Sequence, residues 1–232
     1  MEQSSVSVDV VALRFGNPEP GALRYGVAPR RWEPYTGKTA LPGVLLGAGE
    51  RLDTAARRAV TTKLGIPDTA ILAAGQLTVF DEPSRDPRGP TLSIAMWAVV
   101  TADDIATDPA VATEWRGFDE HRGLAFDHDR IVGAARSILA AGLLWRDTTF
   151  TRALLGPEFA ATHAVAVTTA LAGSRPDPGN LNRTLKAIPG LERTDERVRV
   201  QATGRPAVVW RWTTPSATPN PPTPTPGSER PD

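Results

Sequence analysis

Arginine supplies the residues of this chain best suited to holding an anion. Arg30 and Arg31 are adjacent, and Arg85 and Arg88 lie close together in a proline-rich loop. A guanidinium binds phosphate oxygens through paired hydrogen bonds, so these four are candidates for a diphosphate-like ligand. Each equally suits a surface or an interface, the expected fate of at least two. The histidines offer less. His121 and His163 have no partner at metal-ligand spacing, and His128, directly after Asp127, reads as a hydrogen-bonded structural residue. No order of residues supports a Ser-His-Asp triad. The absence of cysteine excludes disulfides and thiolate metal sites and fits a reducing cytoplasm. No metal site and no cofactor are expected.

A second chemical frame runs through LPGVLLGAGERLDTAARRAVTTKLGI, residues 41–66. It resembles the Nudix box, in which a glycine, a glutamate and then a helix with an Arg-Glu-x-x-Glu-Glu core bind the metal that cleaves a pyrophosphate. Val44 occupies the glycine position, Glu50, Arg58, Val60, Gly65 and Ile66 match, and Pro42 and Gly43 lead in. The three helix glutamates are replaced by Ala59, Thr62 and Lys63. At about 100° per residue, these positions share a sector of roughly 100°, which in the family carries the metal ligands. Hard divalent cations need oxygen ligands, mostly carboxylates. Alanine offers none, threonine a neutral hydroxyl, and lysine a positive charge. The resemblance thus implies a box without turnover. Taken without it, residues 52–64 read as an ordinary amphipathic helix. Leu52, Ala56, Val60 and Leu64 recur on one face, Asp53 serves as N-cap or first-turn acid, and Glu50 helps cap.

The elements that must position these residues follow from periodicity. Residues 7–14 and 23–28 read as strands, as do 76–80 and 91–100, the last two separated by DEPSRDPRGP, whose prolines and glycine force a loop. Strands around a helix in this order predict a mixed α/β sandwich. Beyond Trp115 the pattern turns helical: 126–145, then 158–172 opened by Pro157 and broken by Gly173 and Pro176, then 178–188. Residues 197–201 and 207–212 are short β-like runs joined as a hairpin by 202–206. Three helices and a ribbon are the layout of a winged helix-turn-helix, though small dimerisation modules share it. No run is long and apolar enough to span a bilayer, and no export signal is read at the start. Net charge is zero, yet residues 151–232 hold 10 basic against 7 acidic side chains, a modest excess that scattered surface arginines would also explain. Residues 213–232, with seven prolines, read as a disordered tail.

Over residues 7–212 the order of segments is similar to that of the Nudix-related transcriptional regulators (NrtR). The matching pieces are YTGKTALPG, QLTVF followed by SRDPRG, LAFDH, DPGNLNR and the GRP turn at 204–206. The resemblance implies an α+β fold: an N-terminal Nudix-like α/β/α sandwich with a mixed sheet over 1–125, a connecting helix over 126–147 and a C-terminal winged helix-turn-helix over 148–212. It implies a homodimeric repressor of nicotinamide-cofactor metabolism, binding operator DNA and released by ADP-ribose or a related nucleotide or sugar, with no membrane partner. Asn180, Asn182, Arg183 and Lys186 would lie on the recognition helix and Arg205 at the wing tip. The segment NLNRT is less basic than the family's usual run there. The competing expectation is a divergent Nudix hydrolase, acting on a nucleoside diphosphate derivative and carrying a helical interaction domain.

Overall fold

The computed structural model describes residues 4–16, 22–102, 108, 110–120, 122–200 and 206–213. At its centre β1 (Ser5–Phe15) runs parallel to β6 (Thr91–Val100), in register from Ser5 opposite Thr91 to Leu13 opposite Val99. Apart from Ser7, Asp9 and Ser93, both strands bury apolar residues on both sides because both faces of the sheet are covered. Val8, Val10 and Ala12 pack on one face with Met96, Ala98 and Val100; Val11, Leu13 and Phe15 pack on the other with Ala95, Trp97 and Val99. Around this pair lie β2 (Leu23–Pro29), β3 (Thr39–Ala40), β4 (Gly43–Leu45), β5 (Ile71–Phe80) and β7 (Glu114–Arg116). The main path is β3-β2-β1-β6-β5, with β4 on β1 and β7 on β2. All pairings except β1 with β6 are antiparallel, giving a mixed sheet.

The helix of the box, α1 (Leu52–Leu64), covers the first face through Ala55, Ala56, Ala59, Val60 and Leu64. It stops at Gly65, which takes the left-handed conformation (φ 65°) and donates its N–H to the Thr61 carbonyl at 3.1 Å. Asp53 is a first-turn acid bridged to Arg57; the N-cap is Arg51, without a side-chain cap.

The second face is covered by α2 (His128–Ile138), α3 (Thr148–Leu155) and α4 (Ala161–Ala172). Phe150 of α3 meets Trp97 edge-on at 5.1 Å, and His163 of α4 meets Phe15 at 5.5 Å. The apolar cluster under the sheet therefore continues without a break to Leu181, Leu185 and Trp210. A small sheet of β8 (Glu158–Ala160), β10 (Ala207–Trp212) and β9 (Leu191–Val198), together with α3, α4 and α5 (Pro178–Lys186), makes the winged helix.

Several element boundaries differ from the sequence reading. The helix expected over 126–145 is α2, which ends at Ile138 and gives way to a π-helical turn at Leu139–Leu143. The helix expected from 158 starts at 161, because Glu158–Ala160 extends to pair with β10, Phe159 opposite Trp210. The first helix of the winged unit is α3, which the sequence reading missed. Its threonine-rich start hides a stripe of Phe150, Leu154 and Leu155 and an Asp147 cap that accepts the Phe150 N–H at 3.0 Å. The helix expected over 178–188 ends at Lys186. The strand expected over 197–201 is displaced N-terminally to β9, and the ribbon of β9 and β10 makes two strands of a three-stranded sheet completed by β8. The hairpin tip with Arg205, and the tail beyond Thr213, lie outside the described residues, as does His121.

Candidate ligand cavity and nucleic-acid interface

A cavity of about 670 Å³ opens in the Nudix-like unit between β4, the C-terminal half of α1, the 29–33 segment, the 85–88 loop and the start of α2. Its wall carries six cationic side chains, Arg30, Arg31, Arg58, Lys63, Arg85 and Arg88, against three carboxylates, Asp9, Glu33 and Asp86. All four arginines expected from sequence to meet a ligand are therefore brought to one space, but they are not equivalent.

The floor is a buried ion network. Asp9, at the middle of β1, accepts Ser93 Oγ at 2.6 Å, Ser7 Oγ at 3.1 Å and Arg85 Nη2 at 3.3 Å. Arg85 also clasps Asp127 with two bonds of 2.7 and 3.1 Å. Beside them His128 is fully enclosed, and its Nδ1 accepts the Leu41 N–H at 2.9 Å. The ring proton therefore sits on Nε2, which lies 3.6 Å from Asp9 Oδ1. Burial holds the His128 pKa below its ordinary value, so the ring is neutral and structural, as its sequence context suggested.

The upper wall is freer. Arg30 bonds the Pro34 carbonyl at 2.7 Å and lies 4.5 Å from the Phe126 ring centroid; Arg88 lies 5.7 Å from the same ring and pairs with Asp86 at 2.6 Å. Burial, and then the neighbouring Arg88, lower the Arg30 pKa from its usual value. Two guanidinium groups converging on one space are what an anion would relieve. Phe126 reaches this position from a left-handed backbone (φ 55°), a conformation costing about 1–3 kcal/mol for a residue of its kind. Arg31 donates to the Ala110 carbonyl at 2.6 Å, and Trp32 stands beside it at the rim, 74% exposed. Trp32 and Phe126 give the cavity aromatic faces that sequence reasoning did not single out.

The box helix contributes no metal-ligand set. Ala59 is fully buried beneath the helix, Thr62 donates its hydroxyl back to the Arg58 carbonyl at 2.7 Å, and Lys63 faces the cavity wall. Glu50 does not cap α1. It accepts Arg58 at 2.7 and 2.8 Å and the Gly47 N–H at 2.8 Å, closing the loop onto the helix. Arg58, with the Gly47 N–H second, pulls its pKa down to about 2. Among the described residues no three His, Asp or Glu side chains are grouped to hold a metal ion. The divalent cation implied by a Nudix-like frame thus does not fit these residues.

In the winged unit, α5 is held by an Asp177 cap, whose carboxylate accepts the Asn180 N–H at 2.8 Å, and by Pro178 in the first turn. Leu181 and Leu185 are buried, which turns Asn180, Asn182, Arg183 and Lys186 outward. Arg183 donates to Asn180 Oδ1 at 2.9 Å. Arg211 is bridged to Glu158 and Glu196 at 2.9 and 3.0 Å and braces the small sheet. No helix among the described residues is long and apolar enough to cross a membrane.

No family model matches the chain. A curated relative, the ADP-ribose pyrophosphatase of Methanocaldococcus jannaschii, is 34% identical over 105 residues, or 44% of this chain; the chain spans 60% of that relative's length. The crystal structure of Shewanella oneidensis NrtR complexed with a 27mer DNA superposes with a TM-score of 0.71 at 21% identity, covering 90% of this chain and 93% of that one. The NUDIX domain of the same protein complexed with ADP ribose superposes with a TM-score of 0.51 at 22% identity, covering 60% of this chain and 90% of that one. At such identities the likeness is one of fold, and this chain has the fold of Shewanella oneidensis NrtR, a Nudix-like sandwich joined to a winged helix.

Proposed function

We propose that the chain is a DNA-binding regulator that senses ADP-ribose, or a nucleotide or sugar related to it, without hydrolysing it. The observation that carries this reading is the cavity itself, rich in guanidinium groups and lined by Trp32 and Phe126, with no carboxylates grouped to hold a metal ion among the described residues. Residues 1–125 are the sensing unit, 126–147 the connection and 148–212 the DNA-binding head. The complexes that Shewanella oneidensis NrtR forms with DNA and, through its NUDIX domain, with ADP ribose support both halves of the proposal. As a homodimer the chain would present two α5 helices to operator half-sites about 10 base pairs apart or a multiple of that, acting as a repressor.

A hydrolase reading is favoured by one observation, the name of the 34% identical archaeal relative. The two readings part on turnover. A metal ion generates the hydroxide and neutralises the phosphates, and Ala59, Thr62 and Lys63 supply no ligand set for it. Incubated with ADP-ribose and magnesium or manganese, the protein should release no AMP above a buffer control. Robust metal-dependent release would select the hydrolase.

A further inference from the structure

We propose that Lys63 takes the place of the divalent cation, so that the cavity holds a diphosphate ligand as a metal-free complex. The inference rests on the sensing role proposed above and concerns how the ligand's charge is met. Most of the other cations on the wall are already engaged: Arg58 with Glu50, Arg85 with Asp9 and Asp127, and Arg88 with Asp86. Lys63 lines the same cavity, is exposed, and forms no ion pair among the described residues. It stands in the last turn of α1 next to Thr62, on the helix sector where the box frame would set metal-binding carboxylates. An ammonium is a compact charge with three donors, suited to phosphate oxygens approaching from several directions. The same ammonium repels a divalent cation, so lysine both supplies the missing charge and excludes the ion that would supply it.

A lysine in the last turn of a helix also complements the helix dipole, whichever face it is on. That role affects stability and leaves ligand affinity untouched, so the two are separable. The experiment is calorimetry of the full chain with ADP-ribose, and separately with inorganic pyrophosphate, in EDTA and in magnesium. For ADP-ribose the dissociation constants should agree within about twofold between the two buffers, because no cation takes part. Lys63→Ala should weaken binding by roughly tenfold or more in both, the loss of a charge-assisted contact, while the thermal midpoint falls by no more than the few degrees that a last-turn charge contributes. The double variant Thr62→Glu with Lys63→Glu should bind only when magnesium is present. Binding by the parent that requires magnesium, or an unchanged constant for Lys63→Ala, would overturn the proposal while leaving the sensing role intact. No binding of either probe in either buffer would remove ADP-ribose as the sensed ligand, and this inference with it.

Discussion

The Arg85 guanidinium has 3% of its side chain exposed and is shared by Asp9 and Asp127, so a ligand would have to compete with two carboxylates for it. Removing one partner of a buried ion pair leaves uncompensated charge, which costs about 3–5 kcal/mol. Arg85→Ala should therefore lower unfolding stability by that order in a urea titration at neutral pH, whereas Arg30→Ala should weaken ligand binding with a much smaller loss of stability. A loss below about 1 kcal/mol for Arg85→Ala would show that the network does not hold the fold. In the sequence Arg85 and Arg88 look alike, two arginines in one loop. What separates them is Asp9, 76 positions away along the chain, a distance no local pattern spans. The missing carboxylates at 59, 62 and 63 were legible because the spacing of the box is local. Phe126 was not, since its place depends on a left-handed backbone that its residue type disfavours.

Elements were legible where one periodicity ran unbroken, as in β1, β6 and α1, and hidden where packing overrode it. Residues 157–172 carry one nearly continuous helical pattern, yet Glu158–Ala160 is drawn into the sheet by β10, and α4 begins afterwards. The α5 helix was read correctly in place and type because its Asp-Pro start and its two leucines are local signals. Its outward residues give a prediction at this scale. Asn182→Ala or Arg183→Ala should change which duplex sequence is preferred, whereas Lys186→Ala should weaken binding to all duplexes and lower the slope of log affinity against log salt by about one. Selection from a random duplex library, followed by salt titrations, separates the two kinds of change. An unchanged preference for both Asn182→Ala and Arg183→Ala would mean that α5 does not read bases.

At the scale of the whole molecule, the cavity and the winged unit share one framework. The α2 helix starts at His128 on the cavity wall, and from its last turn Arg136 donates to the Ala170 and Leu171 carbonyls at the end of α4, at 2.8 to 3.2 Å. The π-helical turn after α2 and the Phe150–Trp97 contact extend that link into the core. A ligand that favours one setting of the Phe126–His128 segment would thereby favour one setting of the α4–α5 pair, and the coupling must be reciprocal between ligand and DNA. The most direct measurement is fluorescence anisotropy of the protein on a duplex from upstream of its own gene, titrated with ADP-ribose in EDTA. The predicted result is a sequence-preferring complex whose dissociation constant rises by roughly 5- to 150-fold at saturating ligand. A protein that prefers no duplex, or one whose DNA affinity is unmoved while ADP-ribose binds, would contradict it.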